Sequence, residues 1–169
     1  GQIMVADANG RNPRAVTSQR GHYAVPKFSP DGQTLVFEKR QGGYLLSPEY
    51  SENRGVYRVA VSGGTPELVS RGNSDPQFGA SNDRIFMLGS EGGKLQLLSS
   101  NLDGEAKRVH AQGELANDFR VAPNGRYFAF RQNYEVFAMP LLEGGQAVAV
   151  DETTSSLPTR QPSPRRPRA

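Results

Sequence analysis

The strongest constraint on the fold is a strand–turn–strand pattern that recurs three times along the chain. Its clearest copy spans residues 28–37, where the polar turn Pro30-Asp31-Gly32 precedes the apolar run Leu35-Val36-Phe37. A similar copy spans residues 121–130, and a weaker one spans residues 78–87. Turn-forming residues followed by β-branched and aromatic residues are typical of two antiparallel strands joined by a corner. We therefore expect three corners of one type.

Hairpins with glycine turns separate these corners. Four of them are predicted, at residues 2–17, 56–70, 95–110 and 136–150. The turn glycines Gly64, Gly104 and Gly145 are 40 and 41 residues apart, whereas Gly10 precedes Gly64 by 54 residues because of an insertion after Phe37. Four short antiparallel strands in about 40 residues are typical of a β-propeller blade. The pattern predicts an all-β fold, a partial β-propeller of about three and a half four-stranded antiparallel blades.

The composition divides the chain into a propeller segment, residues 1–150, and a tail, residues 151–169. The tail is rich in proline, serine and arginine and has few apolar residues, which predicts disorder. It also holds four of the arginines behind the formal net charge of +3, so the segment before it is close to neutral. A general nucleic-acid-binding face is therefore not expected, and only the tail is suited to contacts with phosphate groups.

Several other classes of protein do not fit the sequence. No apolar run approaches the roughly 20 residues that cross a bilayer, so membrane insertion is not expected, and the N-terminus lacks the pattern of a signal peptide. Because residues 2–6 already have a strand pattern, we expect the chain to begin inside a larger protein or after a removed leader. The absence of cysteine excludes disulfides, cysteine-based zinc sites and a thiol nucleophile.

Catalytic and metal-binding patterns are not found. The two histidines, His22 and His110, have no spacing that would bring them together as metal ligands, and no serine lies in the Gly-x-Ser-x-Gly context of a nucleophile. Asp31, Asp103 and Asn124 are interpreted as residues that hydrogen-bond their own turns. We therefore expect no metal, no cofactor and no catalysis by this chain itself.

The corner at Pro30-Asp31-Gly32 and the Gly-Gly turns before Pro66 and Ala147 resemble the repeats of TolB-type β-propellers, over residues 2–150. Such blades are also found in tricorn-type and prolyl-oligopeptidase-type peptidases and in some bacterial amidohydrolases. The resemblance implies that the Pro-Asp-Gly corner joins the two inner strands of a blade and the Gly-Gly turn the two outer ones. It also implies a bacterial, periplasmic setting and a ring of six or more blades. The chain then corresponds to a fragment whose open edges would favour self-association.

The resemblance further implies that ligands bind on the face where the blades are connected, opposite the corners. The insertion after Phe37 contributes the most individual residues to this face. The predicted binding residues are His22, Tyr23, Tyr44, Glu49, Tyr50, Asn73, Asp75, Asp118 and Tyr134. Because loops on a rigid scaffold commonly carry recognition, and tyrosine is a favoured anchor, a protein or peptide partner is expected.

Three functions are compatible with these observations. The first is a protein-binding or scaffolding module without catalysis of its own. The second is the propeller portion of a larger hydrolase, a peptidase or an amidohydrolase, whose catalytic domain lies outside this chain. The third uses the arginine-rich tail to bind nucleic acid or an acidic surface, which would make binding sensitive to salt.

Overall fold

The computed structural model describes residues 1–42 and 53–142, and the backbone of residues 148–149. These residues form fourteen strands and no helix. In chain order the strands are β1 (Met4–Val5), β2 (Arg14–Ala15), β3 (His22–Phe28), β4 (Thr34–Arg40), β5 (Gly55–Ala60), β6 (Glu67–Arg71), β7 (Ser74–Phe78), β8 (Arg84–Glu91), β9 (Lys94–Asn101), β10 (Arg108–Gly113), β11 (Ala116–Val121), β12 (Tyr127–Gln132), β13 (Glu135–Pro140) and β14 (Val148–Ala149). Within this described part of the chain, nothing is helical, long and apolar enough to span a membrane.

The strands form successive antiparallel units in the order of the sequence. The pair β1–β2 comes first, followed by a first blade, β3-β4-β5-β6, and a second blade, β7-β8-β9-β10. A third blade contains β11-β12-β13. The three predicted corners join the first two strands of each blade, and the glycine turns at Gly64 and Gly104 join the last two. The all-β partial propeller is confirmed.

The last predicted hairpin, residues 136–150, is wrong. Its second strand, β14, does not pair with β13 but adds to β10 in parallel, with Ala111 opposite Val148. The backbone edge of β10 has no further partner within its own blade, and such an edge readily accepts another strand. The predicted tail, residues 151–169, lies outside the described residues, so its disorder stays a prediction.

Side-chain alternation along the strands builds the core between neighbouring units. In β4, Leu35 and Phe37 face a cluster shared with the β1–β2 pair, whereas Val36 faces a cluster shared with the second blade. In β8 the pattern is repeated, because Ile85 contacts the first blade and Phe86 the third. β4 and β8 are buried on both faces, which accounts for their nearly continuous apolar runs.

The turn at Gly104 also fixes the distance between the first two blades. Asp103 does not bond within its own turn as predicted. Its Oδ1 is 2.9 Å from Nη2 of Arg58 in the first blade, and Asn101 Oδ1 accepts the turn N–H groups instead. Gly104 has a φ of +82°, and a Cβ there would lie 2.0 Å from the carbonyl oxygen of Val69. The turn therefore requires glycine for both its conformation and its close approach.

Replacing Gly104 with alanine is expected to lower the free energy of unfolding by about 2 kcal/mol more than the same change at Gly10. Both glycines have a similar positive φ, +82° and +77°, but nothing lies within 4 Å of a Cβ built at Gly10. The control therefore carries the conformational cost without the clash. Urea denaturation of both variants measures the difference, and equal stabilities would show that the blades can separate here at little cost.

The outer face of the third blade is exposed. Phe128 and Phe130 of β12 are buried against the second blade, but Tyr127 is 50% exposed and Val136 of β13 is 77% exposed. Apolar side chains on an open sheet face favour association. The predicted self-association stays a prediction, and light scattering at high protein concentration tests it.

Candidate functional site

The first strands of the three blades, β3, β7 and β11, lie side by side at the inner edge of the structure. Each is an edge strand of its sheet, and β7 contacts both β3 and β11. Residues near the start of β11 pair with the end of β12, as Ala116 does with Gln132. The starts of the inner strands therefore lie at the end of the blades opposite the corners. We call the inner surface of these three strands the inner-strand face.

A bulge recurs at one position of each inner strand. The register of pairing shifts between Ala24 and Lys27, between Ser74 and Gln77, and between Asn117 and Arg120. Within these intervals, Val25, Asp75 and Asp118 adopt positive φ values of 44°, 48° and 52°. Such a conformation is uncommon for residues other than glycine and costs about 1–3 kcal/mol. Three copies of one costly bulge are a feature of the repeat and not an accident of one loop.

The bulge in the second blade brings Asp75 into a chain of charged groups. Its carboxylate forms an ion pair with Nη1 of Arg120 in the third blade. Its backbone N–H donates to Oε2 of Glu38 in the first blade, 3.4 Å away, and Oε1 of Glu38 accepts from Nε of Arg40 at 2.9 Å. Four charged side chains from three blades are thereby connected across the inner-strand face.

The bulge in the third blade presents a second carboxylate at the equivalent position. Oδ2 of Asp118 lies 3.0 Å from Nη2 of Arg131 on β12, and both side chains are about half exposed. Nε of Arg131 also donates to Oδ1 of Asn117 at 2.8 Å. Asp118 is therefore more accessible than Asp75, whose side chain is only 19% exposed.

A cleft of about 440 Å³ runs along the inner-strand face towards the corners. Its walls combine the Asp75–Arg120 pair with Lys27 and with the ring of Phe28, which is 53% exposed. Lys27 has no ion-pair partner in the part of the chain that the structure describes. The cleft therefore combines an exposed aromatic ring with side chains of both signs of charge.

Two of the predicted residues, His22 and Tyr23, lie at the start of β3. His22 is exposed, with Nδ1 3.4 Å from the carbonyl oxygen of Gln41. The ring of Tyr23 packs edge-on against Phe37, with ring centroids 5.1 Å apart, and burial, followed by the nearby Tyr57, raises the pKa of its hydroxyl. Tyr23 therefore contributes to the core more than to a surface.

The remaining predicted residues are placed differently. Nδ2 of Asn73 donates to Oγ of Ser70 at 2.8 Å, which holds the connection between the first two blades. Tyr134 is fully exposed in the β12–β13 turn, at the same end of the blade as the start of β11. Tyr44, Glu49 and Tyr50 lie outside the described residues. Asp75 and Asp118 therefore occupy equivalent positions in two blades. In the described part of the chain, no hydrogen bond or ion pair links either of them to His22 or Tyr134.

Sequence reasoning missed Glu38, Gln77 and Arg120. Lys27, Gln77 and Arg120 occupy the same position of the repeat, two residues after the positive-φ residue of each bulge, where pairing with the next strand resumes. Gln77 bridges to the third blade, because its Nε2 donates to the carbonyl oxygen of Phe119 at 3.0 Å and its Oε1 accepts from Val121 N–H at 2.8 Å. An alignment of the repeats by the inner strand, and not by the corner, would have revealed this position.

The polar groups of this site are ion pairs and hydrogen-bonding groups. Among residues 1–42 and 53–142, no three His, Asp or Glu side chains converge as metal ligands would. The carboxylates of Asp75 and Asp118 each contact an arginine, and in the described part of the chain neither is hydrogen-bonded to a serine or histidine side chain.

The stacked four-stranded units, their shared cores and the inner strands define a segment of a β-propeller. Among solved structures the chain is similar to TolB from Acinetobacter baumannii, with a TM-score of 0.64, 20% identity, and coverage of 85% of this chain and 36% of that one. It is also similar to the tricorn protease, with a TM-score of 0.55, 15% identity, and coverage of 83% and 18%. A chain of the nidogen/laminin complex matches with a TM-score of 0.57, 16% identity, and coverage of 89% and 61%.

These likenesses confirm the resemblance to TolB-type propellers at the level of the fold. The chain spans about a third of the Acinetobacter protein and less than a fifth of the tricorn protease. No protein-family model matches the sequence, and neither does any curated protein.

Proposed function

We propose that this propeller segment binds a protein or peptide on its inner-strand face and has no catalytic activity of its own. The observation that carries the proposal is the recurrent bulge, which presents Asp75 and Asp118 at equivalent positions, each paired with an arginine. Backbone strain that is repeated in this way is retained at a cost in stability, and such strain is concentrated at ligand-binding and active sites.

The charges on the inner-strand face support a polypeptide ligand. Asp75 and Asp118 can accept hydrogen bonds from a peptide backbone or a basic side chain, while Lys27 is left without an ion-pair partner among the described residues. Phe28 adds an apolar contact in the same cleft. By fold-level analogy only, one similar chain comes from the nidogen/laminin complex, an assembly of proteins.

The test uses peptides selected from a phage-displayed library of random dodecapeptides on the full chain. Binding of a selected peptide, labelled with a fluorophore, is measured by fluorescence anisotropy. Phe28→Ala and Lys27→Glu are each expected to weaken binding by about tenfold, because both side chains are exposed in the cleft.

The matched control is Leu68→Ala on β6, a side chain that is 40% exposed on an outer strand. It is expected to leave binding unchanged. Failure to select any peptide, or equal affinities for the wild type and both cleft variants, would contradict the proposal. Tyr44→Ala and Tyr50→Ala test the predicted part played by the insertion in the same assay.

A further inference from the structure

A second cleft lies between the second and third blades, at the end of the blades that carries the corners and is remote from the inner-strand bulges. It has a volume of about 460 Å³ and is bordered by the corners before β8 and β12, by the start of β10 and by the residues after β13. Three arginines line it: Arg84, Arg108 and Arg126. We call it the arginine cleft.

Arg84 is held in place by neutral groups. Its Nε donates to Oγ of Ser99 at 2.9 Å, and its Nη2 donates to the carbonyl oxygen of Ala106 at 2.9 Å. Burial, and then the nearby charge of Arg108, lower the pKa of Arg84, with Asp83 acting weakly in the opposite direction. Both hydrogen-bond acceptors of the guanidinium are uncharged, and a partly dehydrated cation of this kind attracts anions strongly.

His110 adds a neutral polar group to the cleft. Burial, together with the charges of Arg84 and Arg108, lowers its pKa to about 4, so the ring is uncharged at pH 7. The hydroxyl of Ser99, which accepts from Nε of Arg84, also forms a hydrogen bond with Nε2 of His110 at 2.7 Å. Nδ1 of His110 has no hydrogen-bond partner among the described residues, so this ring nitrogen is left for a ligand.

The other two arginines are exposed and uncompensated. Arg108 and Arg126 have no ion-pair partner in residues 1–42 and 53–142, and no carboxylate is among the described residues that line the cleft. Asp83 lies next to Arg84 in sequence, but its carboxylate accepts from the hydroxyl of Ser81. The charges of Arg84 and Arg108 repel each other across the cleft, and a bound anion would offset that cost.

The floor of the arginine cleft is apolar. The ring of Phe86, which is 6% exposed, lies against the ring of His110, with centroids 5.3 Å apart and an angle of 47° between the ring planes. Leu141 and Leu142 complete the lining, and Leu142 is 56% exposed. A volume of this size, with an apolar floor and a few convergent polar groups, is typical of small-molecule sites.

We propose that the arginine cleft binds a small organic anion, whose carboxylate or phosphate group contacts Arg84, Arg108 and Arg126 and whose apolar part lies against Phe86 and Leu141. The guanidinium groups offer paired N–H donors that match either kind of oxyanion. The site is separate from the inner-strand face, so it does not depend on the function proposed above.

The experiment titrates the full chain with phenyl phosphate, benzoate, inorganic phosphate and phenol, and follows backbone amide chemical shifts by NMR. Phenyl phosphate or benzoate is expected to cause saturable shifts at Ser81, Gly125 and the other lining residues. The double variant Arg108→Ala/Arg126→Ala is expected to weaken this binding by about tenfold or more. Both side chains are exposed, so their loss should not unfold the protein.

The matched control is Arg11→Ala/Arg14→Ala, which removes two exposed arginines from the β1–β2 pair and the turn within it, and should leave affinity unchanged. Comparison of phenyl phosphate with benzoate identifies the preferred charged group. Absence of saturable shifts with both organic anions would overturn the proposal, as would an equal loss in both double variants. Inorganic phosphate or phenol binding as tightly as phenyl phosphate would also overturn it, because the site would then recognise only charge or only apolar surface.

Discussion

Replacing Phe37 with alanine is expected to lower the free energy of unfolding by about 4 kcal/mol. Its ring has no exposed surface. The ring of Tyr23 packs edge-on against it with centroids 5.1 Å apart, and the ring of Tyr57 is stacked on it with centroids 6.3 Å apart. It lies on β4 in the cluster shared with the β1–β2 pair. Alanine would leave a cavity between two units of the propeller, where the rigid sheets limit collapse.

The matched control is Phe28→Ala, at the other strand of the same corner. Phe28 is 53% exposed, so its loss is expected to cost less than about 1 kcal/mol. Equilibrium urea denaturation, followed by circular dichroism and intrinsic tyrosine fluorescence, measures both variants. Similar destabilisation by the two changes would show that the β1–β2 pair is not packed on the first blade as described.

Replacing Gln77 with leucine is expected to cost about 3 kcal/mol, which is large for a residue that is not part of the apolar core. The amide of Gln77 is the hydrogen-bond partner of two buried backbone groups of β11, the carbonyl oxygen of Phe119 and the N–H of Val121. Leucine has a similar size but leaves both backbone groups without that partner. The second and third blades would then lose a buried polar connection.

Two further variants separate this cause from a general effect of the substitution. Gln77→Glu keeps an acceptor for Val121 N–H but faces the carbonyl oxygen of Phe119 without a donor, so it should also destabilise. Gln33→Leu changes an exposed glutamine in the first corner and should alter stability by less than about 0.5 kcal/mol. Thermal and urea denaturation provide the readout, and a Gln77→Leu protein as stable as the wild type would rule out the bridge.

Much of the fold could be predicted because its signals are local. The turn at Asp31 is a clear case: its Oδ1 accepts from Gln33 N–H at 3.0 Å and from the Ser29 hydroxyl at 2.5 Å, and these bonds lower the pKa of its carboxyl group. Both of these partners of the carboxylate lie within two residues, although the backbone N–H of Asp31 donates to Oδ1 of Asn82 in the second blade at 3.0 Å. Asp103 looked similar in sequence, yet its partner is Arg58, 45 residues earlier, and only the packing of two blades brings them together.

The candidate site was less predictable for the same reason. Asp75 and Asp118 could be assigned to the correct end of the blades, because that follows from strand direction. Their arginine partners, and the link from Asp75 to Glu38, join residues from different strands or blades. No spacing in the sequence encodes such pairs, since they depend on how neighbouring sheets are placed.

The sequence by itself determined the all-β class, the corners, the first three glycine turns and the order of the blades, because turn chemistry and alternating burial act over a few residues. Tertiary structure alone decided the joining of β14 to β10, the bridge made by Gln77 and the convergence of three arginines between two blades. These features depend on contacts between strands far apart in the chain. Their geometry is set by packing between sheets, which leaves no periodic trace in the sequence.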